Sequence, residues 1–203
     1  PVIMGWYSFV PFMECKHAVV SVSHRIDGRL DINGTSIDFS GGKGYIEKDW
    51  GKSFPESWIW LQSNHFSHPD ACIMLSIARI PWLGSFFVGF LGFFYYDGTF
   101  YPFSTYLNSE ITRLQRDEQK LFIEVRGKDH TLQVSAAISQ SGLLRAPKSG
   151  EMSRHIKESI DSELEVSLTS RKGALVYKDH ATRAGLEVID SIFDIVKIKP
   201  VVR

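Results

Sequence analysis

Strand-like stretches, in which side chains alternate between two faces, recur along most of the chain. They lie near residues 3–10, 17–26, 36–48, 57–66, 71–79, 86–96, 99–107, 121–126, 131–138 and 163–170. Turn-forming pairs separate them, and Asn33-Gly34 and Asp97-Gly98 best suit the positive φ angles of a type I′ hairpin turn. Many short strands joined by tight turns are typical of an antiparallel sandwich or a closed barrel. The pattern therefore predicts an all-β fold.

Helical periodicity is scarce. Residues 153–162 have room for one or two helical turns, and residues 184–196 are predicted to form a short C-terminal helix. The apolar residues of the second segment recur at helical spacing: Ile189, Ile192, Phe193 and Val196. We expect this helix to pack against the outside of the sheet.

The longest apolar run, residues 80–96, falls just short of the ~18–20 residues that a membrane-spanning helix needs. It contains Pro81 and three glycines, and Asp97-Gly98 follows directly. These features favour a β-hairpin over a spanning helix. Peripheral contact with a membrane surface is the expectation that remains, and the predicted location is cytoplasmic or membrane-peripheral.

Length and charge narrow the class of protein. A chain of 203 residues fits a single domain, residues 1–203, with an ample core. Lysine plus arginine number 23 and aspartate plus glutamate also number 23, so no overall field attracts nucleic acid. We therefore predict a globular protein with a small-molecule partner and no nucleic-acid partner.

No motif points to a metal or a cofactor. Cys15 and Cys72 are predicted to be buried free thiols, with a disulfide as the alternative. His65 and His68 lie beside Pro69 in a turn, where a structured metal site is not expected. His17 and His24 are candidate bases on a strand, although surface or satisfied histidines are the commoner case.

The segment from residue 44 to residue 66 is the most informative, because it holds three of the five tryptophans together with three carboxylates. Alternation places its side chains on two predicted strand faces. The first face carries Tyr45, Glu47 and Asp49, and the second carries Trp58, Trp60, Gln62 and Asn64. Faces that mix large rings with acids and amides are typical of a pocket lining.

Together with Met4–His17 and Ser76–Gly84, this segment resembles the tocopherol cyclase family, most strongly up to Gly84 and more weakly up to Asp190. The resemblance implies a lipocalin-like (calycin) β-barrel, related to the carotenoid hydratases, that takes a prenylated quinol and needs no cofactor. It also implies that the chain is the C-terminal part of a longer protein.

Closure of a chromanol ring requires a proton delivered to a prenyl double bond, shielding of the resulting cation, and attack by a phenol oxygen. A buried carboxylic acid suits the first task and aromatic faces suit the second. We predict Asp49 as the acid, followed by Glu47 and Glu14. Their alternatives are ion pairs, to Lys48 or Lys52 for Asp49 and to Lys16 or Lys43 for Glu14.

The predicted ligand-binding residues are Tyr45, Trp50, Trp58, Trp60, Gln62, Asn64 and Trp6. Two rival functions use the same pocket. One is a hydratase, in which water instead of the phenol traps the cation. The other is a non-catalytic carrier of a hydrophobic lipid or quinone, which would need no buried acid.

Overall fold

The computed structural model describes residues 3–11, 13–139 and 141–198. Over these residues the elements are fourteen β-strands, two 3₁₀ helices and one short α-helix. The strands are β1 Cys15–Ile26, β2 Arg29–Ile32, β3 Thr35–Asp38, β4 Gly42–Gly51, β5 Trp58–Ser63, β6 Cys72–Trp82, β7 Ser85–Tyr96, β8 Thr99–Ser104, β9 Glu110–Arg116, β10 Lys120–Arg126, β11 His130–Ala137, β12 Gly142–Lys148, β13 Glu151–Ser170 and β14 Leu175–Val188. The 3₁₀ helices are Gly5–Phe9 and Thr105–Leu107, and the α-helix, α1, is Ile192–Ile195.

Ten of the strands form one antiparallel sheet, in the order β8-β7-β6-β5-β14-β13-β11-β10-β9, with β12 also paired to β13. The strands β1 and β4 form a separate two-stranded sheet, and β2 and β3 form a hairpin. The predicted all-β antiparallel fold with a short C-terminal helix is confirmed. Within the described residues the pairing path runs from β8 to β9 without joining these two edges, so closure into a barrel stays a prediction.

The two faces of the large sheet differ chemically, as the side chains of β5 illustrate. Ile59 and Leu61 are fully buried on one face and belong to the main core. Trp58 and Trp60 lie on the other face, where they line a cavity. Burial of each aliphatic side chain in the core contributes about 1.5–3 kcal/mol, so the core face anchors the strand that presents the two indoles.

The two-stranded sheet packs across the indole-bearing face. Val19 of β1 and Tyr45 of β4 join a second apolar cluster with Cys72, Met74 and Phe93 of the large sheet. This contact holds β1 and β4 above β5, β6 and β7. The cavity lies between the two sheets beside this contact, because residues from both sheets line it.

Residues 153–162 are wrongly predicted as helical, since they belong to β13. The register of β13 against β14 shifts between Ser159 and Ser162, and again between Ser162 and Leu164. These bulges bury Ile156, Ser159 and Ser162 at a spacing of three, which imitates a helix in the sequence.

The predicted C-terminal helix is too long and the first predicted strand is wrong. Residues 184–188 complete β14, and only Ile192–Ile195 are α-helical. The segment predicted as a strand over residues 3–10 contains the 3₁₀ helix Gly5–Phe9 instead. The strands β9, β12 and most of β14 lie where no strand was predicted.

The apolar run 80–96 forms a hairpin, as expected. Its turn residues Leu83 and Gly84 have φ angles of 46° and 77°, and the next turn at Asp97 and Gly98 has 46° and 75°. Such angles are those of type I′ turns. Among the described residues, no helix has the length and apolar character to cross a membrane.

Candidate functional site

One row of cross-strand partners crosses the large sheet beneath the cavity. Glu158 of β13 faces Glu187 of β14, which faces Trp60 of β5. Trp60 faces Ser76 of β6, and Ser76 faces Leu91 of β7. All five line the cavity, and we call this row the cavity floor. The sheet register thus places two carboxylates and an indole in one line.

A second row, two residues further along each strand, supplies apolar surface. Trp58 faces Ala78, and Ala78 faces Gly89. All three line the cavity. Small residues on β6 and β7 therefore leave the space above this row open beside a large ring.

The opposite wall, which we call the cavity roof, comes from β1 and β4. It contributes Cys15, His17, Glu47 and Asp49, and the 3₁₀ helices add Tyr7 and Tyr106. The enclosed volume is about 370 Å³. This size lies within the range of small-molecule pockets.

Three roof side chains form a group that we call the histidine cluster: His17, Glu47 and Asp49. His17 and Asp49 are cross-strand partners, and His17 Nδ1 lies 2.8 Å from Asp49 Oδ1. His17 Nε2 lies 3.8 Å from Glu47 Oε2 and makes no hydrogen bond with the described residues. The Tyr45 hydroxyl donates a hydrogen bond to Glu47 Oε2 at 2.6 Å.

Two of the three groups in the cluster, His17 and Glu47, have raised pKa values. Burial lowers the pKa of His17, but the hydrogen bond to Asp49 and the charges of Asp49 and Glu47 outweigh it, so the pKa is raised overall. Burial raises the pKa of Glu47, against the opposing effects of His17 and Tyr45. An imidazole and a carboxyl that both have raised pKa values, held beside Asp49, together form a proton-transfer group.

The floor carries a second acidic group, the carboxyl pair of Glu158 and Glu187. Trp58 Nε1 donates a hydrogen bond to Glu187 Oε2 at 2.5 Å. Burial raises the pKa of Glu187 to about 7, and the charges of Glu158, Asp49 and Glu47 act in the same direction. Burial also raises the pKa of Glu158.

Sequence reasoning missed this carboxyl pair. Glu158 stood in the segment predicted as a helix, and Glu187 stood at the start of the predicted C-terminal helix. No local pattern distinguishes either of them from the other acidic residues of the chain. Only the pairing of β13, β14 and β5 brings them to the tryptophans.

The two indoles are fixed by their neighbours. The Arg154 guanidinium lies 4.7 Å from the Trp58 ring, and Phe54 meets the same ring edge-on at 5.8 Å. Trp60 lies against Gly185, where an added Cβ would come within 2.6 Å of the ring. Only glycine at position 185 allows this approach. Trp60 Nε1 is buried and makes no hydrogen bond of good geometry with the described residues, although its N–H favours the charged form of Glu47 and so lowers the pKa of that carboxyl.

Of the predicted site residues, Glu47, Asp49, Trp58 and Trp60 come together around the cavity. Tyr45 is not among the residues that line the cavity, and it contacts the site through its hydrogen bond to Glu47.

The other predicted site residues lie away from the cavity lining. Gln62 Nε2 is 4.0 Å from Cys72 Sγ. Lys43 Nζ donates a hydrogen bond to the backbone carbonyl oxygen of Asn64 at 3.3 Å. Trp50 and Glu14 are exposed, and Lys48 lies 5.5 Å from the Trp50 ring. Their participation stays a prediction.

Trp6 is also exposed, and it stacks on the cavity residue Tyr7 at 4.0 Å. Cys72 is buried and Cys15 half-buried, both as free thiols, which agrees with the prediction.

The histidine cluster offers one nitrogen and two carboxylate oxygens within 4.8 Å, a spacing that could hold a metal ion. A metal ligand and a proton acceptor both need the neutral imidazole, and the raised pKa of His17 moves that form to higher pH.

The fold and site define an antiparallel β-protein with a cavity that is both aromatic and acidic. A family profile described as "Tocopherol cyclase-like" matches residues 2–189. The chain belongs to the tocopherol cyclase-like family, as the sequence resemblance predicted.

Two plant relatives are similar to the chain. The probable chloroplastic tocopherol cyclase of Oryza sativa subsp. japonica is 29% identical over 150 residues, which cover 70% of this chain and 31% of that protein. The chloroplastic tocopherol cyclase of Zea mays is 26% identical over 197 residues, covering 91% of this chain and 41% of that protein. The chain thus spans less than half the length of these relatives. No solved structure matches it significantly.

Proposed function

We propose that the chain binds a prenylated quinol in the cavity between the two sheets and closes its chromanol ring. The observation that carries this proposal is the convergence of Trp58 and Trp60 with the carboxylates that line the roof and floor. Family membership and the two plant tocopherol cyclases support the same substrate class.

The cavity supplies the groups that the reaction requires. Its lining is mostly apolar, which suits a prenyl chain, and aromatic faces attract a carbocation through the ring quadrupole. Glu47 and Glu187 have raised pKa values, so a protonated carboxylic acid is available near neutral pH. Ring closure is an isomerisation. The double bond gains one proton and the phenol loses one, so the reaction neither consumes nor releases protons overall.

The histidine cluster is placed to handle the phenol proton. Asp49 orients His17 through Nδ1, and Nε2 has no hydrogen-bond partner in the described part of the chain. A quinol oxygen beside Nε2 would find an acceptor when the imidazole is neutral, and Glu47 lies 3.8 Å away to exchange the proton. The sequence predicted Asp49 and Glu47 as candidates for the acid, whereas here they act on the phenol proton.

A non-catalytic carrier would need only the apolar lining. Removing a carboxylate from water costs folding free energy and gives a carrier of apolar lipid nothing in return. Glu47, Glu158 and Glu187 are half-buried in the cavity wall, and burial raises the pKa of each, which favours a reaction over simple storage.

The test combines binding and product analysis. A prenylated quinol should change the tryptophan fluorescence of the protein, and Trp58→Ala should reduce that change. Chromatography with mass spectrometry should then show a chromanol with the mass of the quinol. A product heavier by one water would instead indicate a hydratase, and binding without conversion would indicate a carrier.

A further inference from the structure

We propose that Glu187 of the cavity floor, paired with Glu158, is the acid that protonates the prenyl double bond, while the histidine cluster of the roof takes up the phenol proton. This assignment rests on the proposed function and specifies which wall of the cavity performs each half of the reaction. Asp49 and Glu47, the acids suggested by the sequence, are the competing donors.

The first argument is the position of the two acidic groups. Glu187 belongs to the large sheet, whereas His17, Glu47 and Asp49 belong to the two-stranded sheet that covers it. The two acidic groups therefore line the same cavity from different sheets. Addition of a proton and an oxygen to opposite faces of a double bond needs an acid on one side and a base on the other. The two sheets provide this arrangement.

The second argument is the pairing of like groups. Glu158 and Glu187 are direct cross-strand partners that both face the cavity. Two carboxylates at such positions repel each other, so the charge of Glu158 adds to burial in raising the pKa of Glu187. No salt bridge within the described residues neutralises Glu158 or Glu187. Arg154 lies against the Trp58 ring and donates to the carbonyl oxygens of Pro55 and Glu56.

The third argument is the contact of Glu187 with an indole. Trp58 Nε1 donates to one carboxyl oxygen and so fixes the orientation of the group. The other oxygen is left to carry the proton. The same Trp58 ring lines the cavity, next to the point where the cation would form. Proton donor and aromatic face are thereby held together.

The step balances without an added reagent. The O–H bond of Glu187 breaks, and the double-bond electrons form a C–H bond at the less substituted carbon, leaving a tertiary cation. A lone pair of the phenol oxygen forms the C–O bond, and its proton passes to His17. Glu187 and the histidine cluster then exchange protons with water when the product leaves. No atom is oxidised or reduced.

The pH dependence distinguishes this assignment from a structural role. The charged and titratable groups that act on Glu187 are Glu158 of β13 and Glu47 and Asp49 of β4. Activity should fall as pH rises through about 7, because Glu187 must be protonated to act, and it should also fall at low pH, where His17 is charged and cannot accept the phenol proton. Glu158→Gln removes a repelling charge, so it should lower the pKa of Glu187 and move this decline to lower pH.

The experiment measures turnover and binding of a prenylated quinol for the wild type, Glu187→Gln, Glu158→Gln and Glu47→Gln. Glu165→Gln is the matched control, since Glu165 is an exposed glutamate of β13. Glu187→Gln can still accept the Trp58 hydrogen bond. It should lose at least a hundredfold in turnover and bind within a few-fold of the wild type. Glu158→Gln should stay active with its pH profile shifted down.

Two results would overturn the assignment. If the wild type converts the quinol and Glu187→Gln converts it equally fast, the donor is not Glu187, and loss in Glu47→Gln would place it on the roof. An unshifted pH profile in Glu158→Gln would also reject the carboxyl pair. If the wild type binds but never converts the quinol, the proposed function itself fails. Should Glu187→Gln not fold, Glu187→Asp, which retracts the acid by one methylene, must show the same loss of turnover.

Discussion

His17 and Asp49 are cross-strand partners on β1 and β4, and their side chains meet at 2.8 Å between Nδ1 and Oδ1. Such a bond fixes both the orientation of the ring and the position of its proton. It leaves Nε2 without a hydrogen-bond partner among the described residues, 3.8 Å from Glu47. The pair is therefore the structural basis of the proton-transfer role given to the cavity roof.

Asp49→Asn should lower the pKa of His17, because the negative charge that raises it is lost while burial remains. NMR titration of the His17 ring measures this directly. Turnover should fall at least tenfold and quinol binding should change only a few-fold. The matched control is Asp38→Asn, an exposed aspartate of β3. An unchanged His17 pKa would show that Asp49 does not govern the ring.

Trp58→Phe should move the alkaline decline of activity to higher pH. The indole N–H favours the charged form of Glu187, so its removal raises the pKa of that carboxyl further. This shift is opposite in sign to the one expected for Glu158→Gln. Trp82→Phe, at an exposed hairpin tip, should leave the profile unchanged. The measurement is the pH dependence of turnover at saturating quinol.

Gly185→Ala should weaken quinol binding by displacing Trp60. The new methyl group would lie within 2.6 Å of the ring, which forces the indole into the cavity. Overpacking of this kind costs about 1–3 kcal/mol of stability. Gly142→Ala is the control, since its Cβ would meet nothing closer than 4.0 Å. Equal affinity in both variants would mean that Trp60 does not shape the binding site.

Glu187 should make the fold less stable as pH rises. Its folded-state pKa of about 7 exceeds the ordinary value of 4.5. The contribution of this group to the free energy of unfolding is therefore fully present below about pH 4.5 and lost by pH 7. The loss is at most roughly 3 kcal/mol, at 1.36 kcal/mol per unit of pKa. Glu187→Gln should be more stable than the wild type at pH 8, with a smaller difference at pH 5, in urea denaturation.

The strand pattern of the sequence predicted the all-β fold, because local alternation and turn residues encode strands and hairpins. The pattern also identified Glu47, Asp49, Trp58 and Trp60 as candidates within one segment, because β4 and β5 follow one another in the chain. Glu158 and Glu187 were missed because they reach the cavity through pairing between distant strands. The bulges of β13 made that strand resemble a helix and hid the pairing further.

Reaction of a prenylated quinol with the protein in deuterium oxide tests the central claim most directly. Protonation of the double bond by an exchanged cavity acid predicts a chromanol with one deuterium on the ring carbon next to the new C–O carbon. Mass spectrometry and NMR of the product locate this label. Quinol that is bound but recovered unchanged, or a product that has gained water, would contradict ring closure as the function of this cavity.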